Sequence, residues 1–161
     1  MSSFRIVICC VLLSAVAGSY AQSEAGPEAA LRRLYAAHQP WAQKDVLSDG
    51  TLGNYFDEKI VRLVKADQEC KAPDWGVGNL DFDPILDGQD YGDTGIGDLQ
   101  IRRIGDGKAN RYEVSFLLFP GESKDRTHLV YSLAKSAGRW RITDIQYEET
   151  TLLKILAPPC K

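Results

Sequence analysis

The sequence predicts an α+β domain: N-terminal helices packed on a bent antiparallel sheet of about four strands, closed by a short C-terminal helix. Two observations carry this. Apolar residues recur at a helical period of about 3.6 up to Cys70 and at a strand period of 2 after Asp98. The later apolar stretches are separated by short Gly-containing turns rather than by helices, the pattern of a meander. Helices gathered on one side of an antiparallel sheet make the α+β class.

Residues 1–21 read as a secretory signal peptide. Arg5 supplies the positive charge, Ile6–Val16 the apolar run, and Ser19, Tyr20 and Ala21 a small-x-small cleavage site. The run is short for a bilayer span. The expectation is a periplasmic or secreted protein with no membrane contact after cleavage. Residues 22–27 form a polar leader and residues 28–160 a single domain. Cleavage before Gln22 removes Arg5, leaving 18 Lys+Arg against 22 Asp+Glu, a net charge of −4. This mild acidity argues against nucleic acid, which requires a basic face, and supplies no membrane-binding patch.

Cys9 and Cys10 leave with the signal, so Cys70 and Cys160 remain. An even pair in an exported protein reads as a disulfide. It would close a loop of about 90 residues, worth ~4 kcal/mol in the chain-entropy account. A metal or redox pair would require C-x-x-C spacing and histidine partners, which the sequence lacks.

The first helix starts at Pro27 and buries Leu31, Leu34, Tyr35, His38 and Trp41, with Arg32, Arg33, Gln39 and Gln43 outside. Pro40 kinks it or ends its first part. Asp49 and Gly50 turn the chain. A second helix is expected from Thr51 or Asn54 to about Cys70, with Leu52, Tyr55, Phe56, Ile60, Leu63 and Val64 as its stripe. The long stretch 71–98 has no regular period, and a connection of that length is usually functional.

Strands follow. Leu99 and Ile101 share a face, and Tyr112, Val114, Phe116 and Leu118 alternate, as do Leu129, Tyr131 and Leu133. Trp140 and Ile142 are out of phase with Ile145 and Tyr147, which predicts a bulge near Thr143 and Asp144. Thr150 or Thr151 caps a final helix holding Leu152, Leu153, Ile155 and Leu156, stopped by Pro158 and Pro159.

The most distinctive stretch is Asn79–Tyr91. It carries Asp81, Asp83, Asp87, Gln89, Asp90 and Tyr91, threaded on Phe82, Ile85 and Leu86, with Trp75 just before it. Too rich in Asp, Pro and Gly for a helix or strand, it reads as an ordered loop pinned to the core by its apolar residues. Two readings stand level. In one the carboxylates bond local N–H groups, with Asp83 ahead of Pro84 starting a turn. In the other they form an acidic recognition rim with aromatics beside it. Ca²⁺ is less favoured, because the spacing departs from the D-x-D-x-D-G-x₅-E loop.

The order of elements resembles the nuclear-transport-factor-2-like (cystatin-like) cone, in which a helix lies in a strongly bent sheet. The run Gly138–Ile145 is similar to the last strand of many such domains. More narrowly, the chain resembles exported bacterial proteins of domain-of-unknown-function family 3828. The matching pieces are Leu34-Tyr35, Tyr55-Phe56, Asp81-Phe82-Asp83-Pro84, Gln89-Asp90 and the Trp140-Arg141-Ile142 strand. The resemblance implies a fold and no established activity.

Two function classes follow. The first is an exported non-enzymatic domain binding a protein or small ligand in the cell envelope, in the manner of an immunity-type inhibitor. Its binding residues would be Trp75, Asp81, Asp83, Asp87, Gln89, Asp90 and Tyr91. The alternative is a small hydrolase or isomerase in which His38, with Asp83 or Asp90, serves as general base. No Gly-x-Ser-x-Gly, His-Glu-x-x-His or phosphate loop is present, and no cofactor or metal is expected.

Overall fold

A computed structural model describes residues 26–39, 45–71, 78–90, 94–107, 109–122 and 124–158. The proposed signal peptide, Pro40, Trp41, Trp75, Tyr91 and Cys160 lie outside the described residues. The elements run α1 (Pro27–Ala37), a 3-10 turn (Leu52–Asn54), α2 (Glu58–Lys71), β1 (Gly97–Ile104), β2 (Arg111–Leu117), β3 (Arg126–Ser136), β4 (Arg139–Gln146) and α3 (Leu152–Leu156). The four strands form one antiparallel sheet in sequence order. This is the α+β class the change of period predicts.

α1 begins at Pro27, whose missing N–H costs nothing in a first turn. It buries Leu31, Leu34 and Tyr35 and ends at Ala37, with His38 as its C-cap. It lies across the sheet, in contact with β1 and with β4. The core beneath it joins Leu31, Leu34 and Tyr35 to Val114, Phe116, Leu129, Tyr131 and Ile145. Tyr35 meets Phe116 and Tyr131 with ring centroids 5.5 and 6.1 Å apart.

The start of α2 departs from the expectation. The helix begins at Glu58, not near Thr51 or Asn54. Asp57 caps it, its Oδ1 accepting from the Ile60 N–H at 2.9 Å. Before the cap, Tyr55–Asp57 runs along the outer edge of β4. Ile142 N–H donates to the Tyr55 carbonyl at 2.8 Å and Asp57 N–H to the Ile142 carbonyl at 3.0 Å. Phe56 is buried there as an extended residue, 2 % exposed, and not as part of a helical stripe.

β3 and β4 are joined at Ala137 and Gly138, whose φ angles of 47° and 79° suit the tight turn of a right-twisted hairpin. Further along, the register slips between Ser132, which faces Asp144, and Leu133, which faces Ile142. Thr143 is therefore the extra residue, and Ile142 and Ile145 both reach the core, as the phase change in the sequence requires. Thr151 caps α3, its hydroxyl accepting from the Lys154 N–H at 3.3 Å.

Candidate functional site

The central loop is fixed first by its own backbone. Asp83 N–H donates to the Gly88 carbonyl at 2.9 Å, and the Asp83 carbonyl accepts from the Asp87 N–H at 2.8 Å. The Asp83 side chain closes the turn: Oδ1 accepts from Ile85 N–H at 2.8 Å and from Leu86 N–H at 3.2 Å. An aspartate followed by Pro84 does this readily, since its carboxylate mimics a backbone acceptor two residues on. The other oxygen, Oδ2, lies 2.5 Å from His38 Nε2, so α1 and the loop are joined through a pair only 13 % and 19 % exposed.

Tyrosines then pin the loop from below. Tyr35 donates its hydroxyl to the Ile85 carbonyl at 3.0 Å, and the Tyr131 hydroxyl stands 2.8 Å from that of Tyr35. With the Tyr35 proton committed to Ile85, Tyr131 is the donor of the pair. Tyr147 donates to the Pro84 carbonyl at 3.1 Å. Burial is the main cause that pushes all three phenols above their ordinary value, so they remain protonated donors. Ile85 and Leu86 are 0 and 1 % exposed, and Phe82 packs edge-on against Tyr147 at 5.4 Å. Each of the two aliphatic side chains contributes roughly 1.5–3 kcal/mol by burial, against the entropy of ordering the loop.

The entry to the loop is held by Asp67 on α2, which is 4 % exposed. Its Oδ1 accepts from Asn79 N–H at 2.5 Å and its Oδ2 from Leu80 N–H at 3.4 Å. The sequence signal for this was a carboxylate seven positions after Ile60, on the buried stripe of α2. The tyrosine pins had no comparable signal, because each is a long-range contact.

The candidate residues thus divide. Asp83 and His38 are turned inward and bonded to one another. Asp81, Asp87, Gln89 and Asp90 are exposed. Asp87 stands at the apex with φ of 53°, a left-handed conformation uncommon for a residue with a Cβ. It forms one wall of a groove of about 550 Å³ whose other walls include His128, Gln146, Tyr147 and Glu148. Partial burial and then the charge of Glu148 push the Asp87 carboxyl above its ordinary value. His128 Nδ1 is 3.3 Å from Glu113 Oε1 on the neighbouring strand. Among the described residues no cluster of metal-ligating side chains forms. The described helices include none long and apolar enough to cross a membrane. Cys70 sits half-buried near the end of α2.

This geometry belongs to a fold that has been seen before. The chain is similar to a chain in the crystal structure of the type VI native effector–immunity complex Tae3–Tai3 from Ralstonia pickettii. The two share 22 % identity at a TM-score of 0.55, over 78 % of this chain and 96 % of that one. A protein of unknown function from Bacteroides thetaiotaomicron matches at 20 % identity and a TM-score of 0.47, over 78 % and 89 % of the two chains. No family model matches the chain, family 3828 included, and no curated protein is similar to it in sequence. The first likeness shows the fold.

Proposed function

We propose that the protein is an exported binding domain that inhibits a protein partner in the cell envelope through the loop Asp81–Asp90, in the manner of an immunity protein. The observation that carries this reading is the construction of the loop. Three tyrosines, Asp83 and the burial of Ile85 and Leu86 fix its backbone, while Asp81, Asp87, Gln89 and Asp90 stay outside. A surface held in one conformation before contact loses little entropy on binding, so its polar groups convert to affinity efficiently. The shared fold with a chain of an effector–immunity complex supports a protein partner. Within this reading the signal peptide and the Cys70–Cys160 bridge place and stabilise the domain outside the cytoplasm.

Capture from envelope extract tests it. The wild-type mature protein should retain a discrete partner that the Asp87→Arg, Asp90→Arg variant loses without a fall in melting temperature. Retention by both proteins would contradict the loop's role.

One observation favours the enzymatic alternative: the His38–Asp83 pair has the short contact of an oriented imidazole. The other Asp83 oxygen is committed to two backbone N–H groups, which is the work of a turn. A structural pair loses stability when His38 is replaced by Gln. A catalytic pair loses turnover while the melting temperature holds.

A further inference from the structure

The groove beside the loop apex holds two carboxylates that nothing in the fold neutralises. Asp87 stands on the loop and Glu148 two residues past the end of β4, and both line the groove. Among the described residues neither carboxylate has a hydrogen bond or an ion pair. Partial burial and then the charge of Glu148 raise the Asp87 carboxyl, so the two act on each other. The nearby cations are committed elsewhere. Arg126, on the groove wall, gives Nη1 to Asp98 Oδ2 at 2.5 Å, and Nη2 to the Asp98 carbonyl at 2.6 Å and the Ser115 carbonyl at 3.2 Å. His128 faces Glu113, which Arg102 also holds. Arg111 donates to Gln146 Oε1 at 3.0 Å and bonds to neither groove carboxylate.

The rest of the lining suits a long stem. Val130 is half-buried on β3, opposite Gln146 in the register. Tyr147 is 6 % exposed, its hydroxyl held by the Pro84 carbonyl. The groove therefore joins an apolar lining to carboxylates from two separate elements, the loop and the chain after β4. Two like charges kept together in a partly buried place disfavour their own ionised forms. The fold supplies no cation to offset them, so the offsetting charge comes from outside.

We infer that this groove takes an arginine side chain of the protein partner, its guanidinium bridging Asp87 and Glu148 and its stem lying along Val130 and Tyr147. The inference rests on the loop being the partner-binding surface, and it names the group on the partner that the surface selects. Charge fixes the class of occupant, since both unpaired groups are anionic. Chemistry selects arginine over lysine. A guanidinium offers five donors in a planar fork and serves two carboxylates at once, whereas an ammonium is a compact point charge. The apolar stem of arginine gains from Val130 and Tyr147 while its head stays with the carboxylates. A second copy of this chain is the poorer occupant, because it is itself net negative.

The probe is a capped glycine–arginine–glycine peptide, titrated into the mature protein at low ionic strength and followed by amide chemical shifts. Its counterpart carries citrulline, which keeps the shape and loses the charge. The arginine peptide should shift the amides of Asp87, His128, Gln146 and Glu148, and the citrulline peptide should bind about ten-fold more weakly. A lysine peptide should fall between them. Glu148→Gln lies outside the loop and should weaken the arginine peptide about five-fold or more, at an unchanged or higher melting temperature. Glu58→Gln removes the same unit of charge at the start of α2, where it lines no part of this groove, and should stay within about two-fold of the wild type. Capture from envelope extract separates this inference from the loop reading. A partner retained in full by Glu148→Gln overturns the groove inference and leaves the loop reading standing. Arginine binding by a protein that captures no partner sustains the groove's chemistry and counts against the loop reading. Three results with the peptides would overturn the inference: no shift of the groove amides at tens of millimolar arginine peptide, equal binding of the arginine and citrulline peptides, or equal weakening by Glu148→Gln and Glu58→Gln.

Discussion

The Tyr35 hydroxyl and the Ile85 carbonyl lie 3.0 Å apart across 50 residues of sequence, and this bond ties the middle of α1 to the middle of the central loop. Tyr131, from β3, stands behind it, 2.8 Å from the Tyr35 oxygen and 3.4 Å from the same carbonyl. The helix, the sheet and the loop therefore meet at one buried acceptor.

That arrangement predicts coupling. Tyr35→Phe removes the shorter bond to Ile85 and should cost about 1–2 kcal/mol, since a buried carbonyl is left with a weaker partner. Tyr131→Phe should cost about as much. The double variant should cost less than the sum of the two, because both hydroxyls serve one network. Chemical denaturation of the three variants measures this, and strict additivity would show two unconnected hydroxyls.

Asp83 makes the turn, so its replacements should rank by what they can accept. Asp83→Ala loses the acceptor for two backbone N–H groups and for His38, and should cost about 2 kcal/mol or more. Asp83→Asn keeps an oxygen for the turn and should recover a good part of that loss. Thermal unfolding compares them. Equal losses in the two variants would place the effect in the charge contact with His38 and not in the turn.

Asp87 should be a residue that costs stability. Its φ of 53° favours Asn or Gly, and its carboxyl is raised by burial and by Glu148. Asp87→Asn should therefore stabilise the protein by roughly 0.5 kcal/mol at neutral pH. The sign with pH follows from linkage. A carboxyl whose folded value is raised binds its proton more tightly when folded, so its penalty shrinks as pH falls through the folded value towards the unfolded one. Asp98 and Glu113, held low chiefly by Arg126 and Arg102, act in the opposite sense and lose their contribution on acidification. The gain from Asp87→Asn should accordingly be larger at neutral pH than in acid. Melting curves of both proteins across that range decide it, and a gain that grows on acidification would count against this origin.

The cysteine pairing is tested by mass. The mature protein, alkylated without reductant, should carry no label and should gain two on reduction. Two labels before reduction would exclude a Cys70–Cys160 bridge.

Much of this architecture was legible in the chain. The period change at Asp98 separates helices from strands because the two geometries bury different residues. The slip between Ile142 and Ile145 marks the Thr143 bulge because only an extra residue restores both to the core. The start of α2 at Glu58 differs from the expectation for a physical reason. Leu52, Phe56 and Ile60 keep a spacing of four whether the chain is helical or not, and here a 3-10 turn and an extended segment use the same apolar residues. The Asp57 cap three residues before Ile60 was the better signal. In the loop, the local role of Asp83 follows from the neighbouring Pro84. The inward tyrosines do not, since nothing near Tyr35, Tyr131 or Tyr147 in sequence says which carbonyl each will meet.

The central claim is that a loop fixed from within presents its outer carboxylates to a protein partner. Capture from envelope extract by wild-type mature protein, beside the Asp87→Arg, Asp90→Arg variant at matched melting temperature, tests it most directly. The account predicts a partner retained by the wild type in near-stoichiometric amount and lost by the variant. The same proteins retained by both would contradict it.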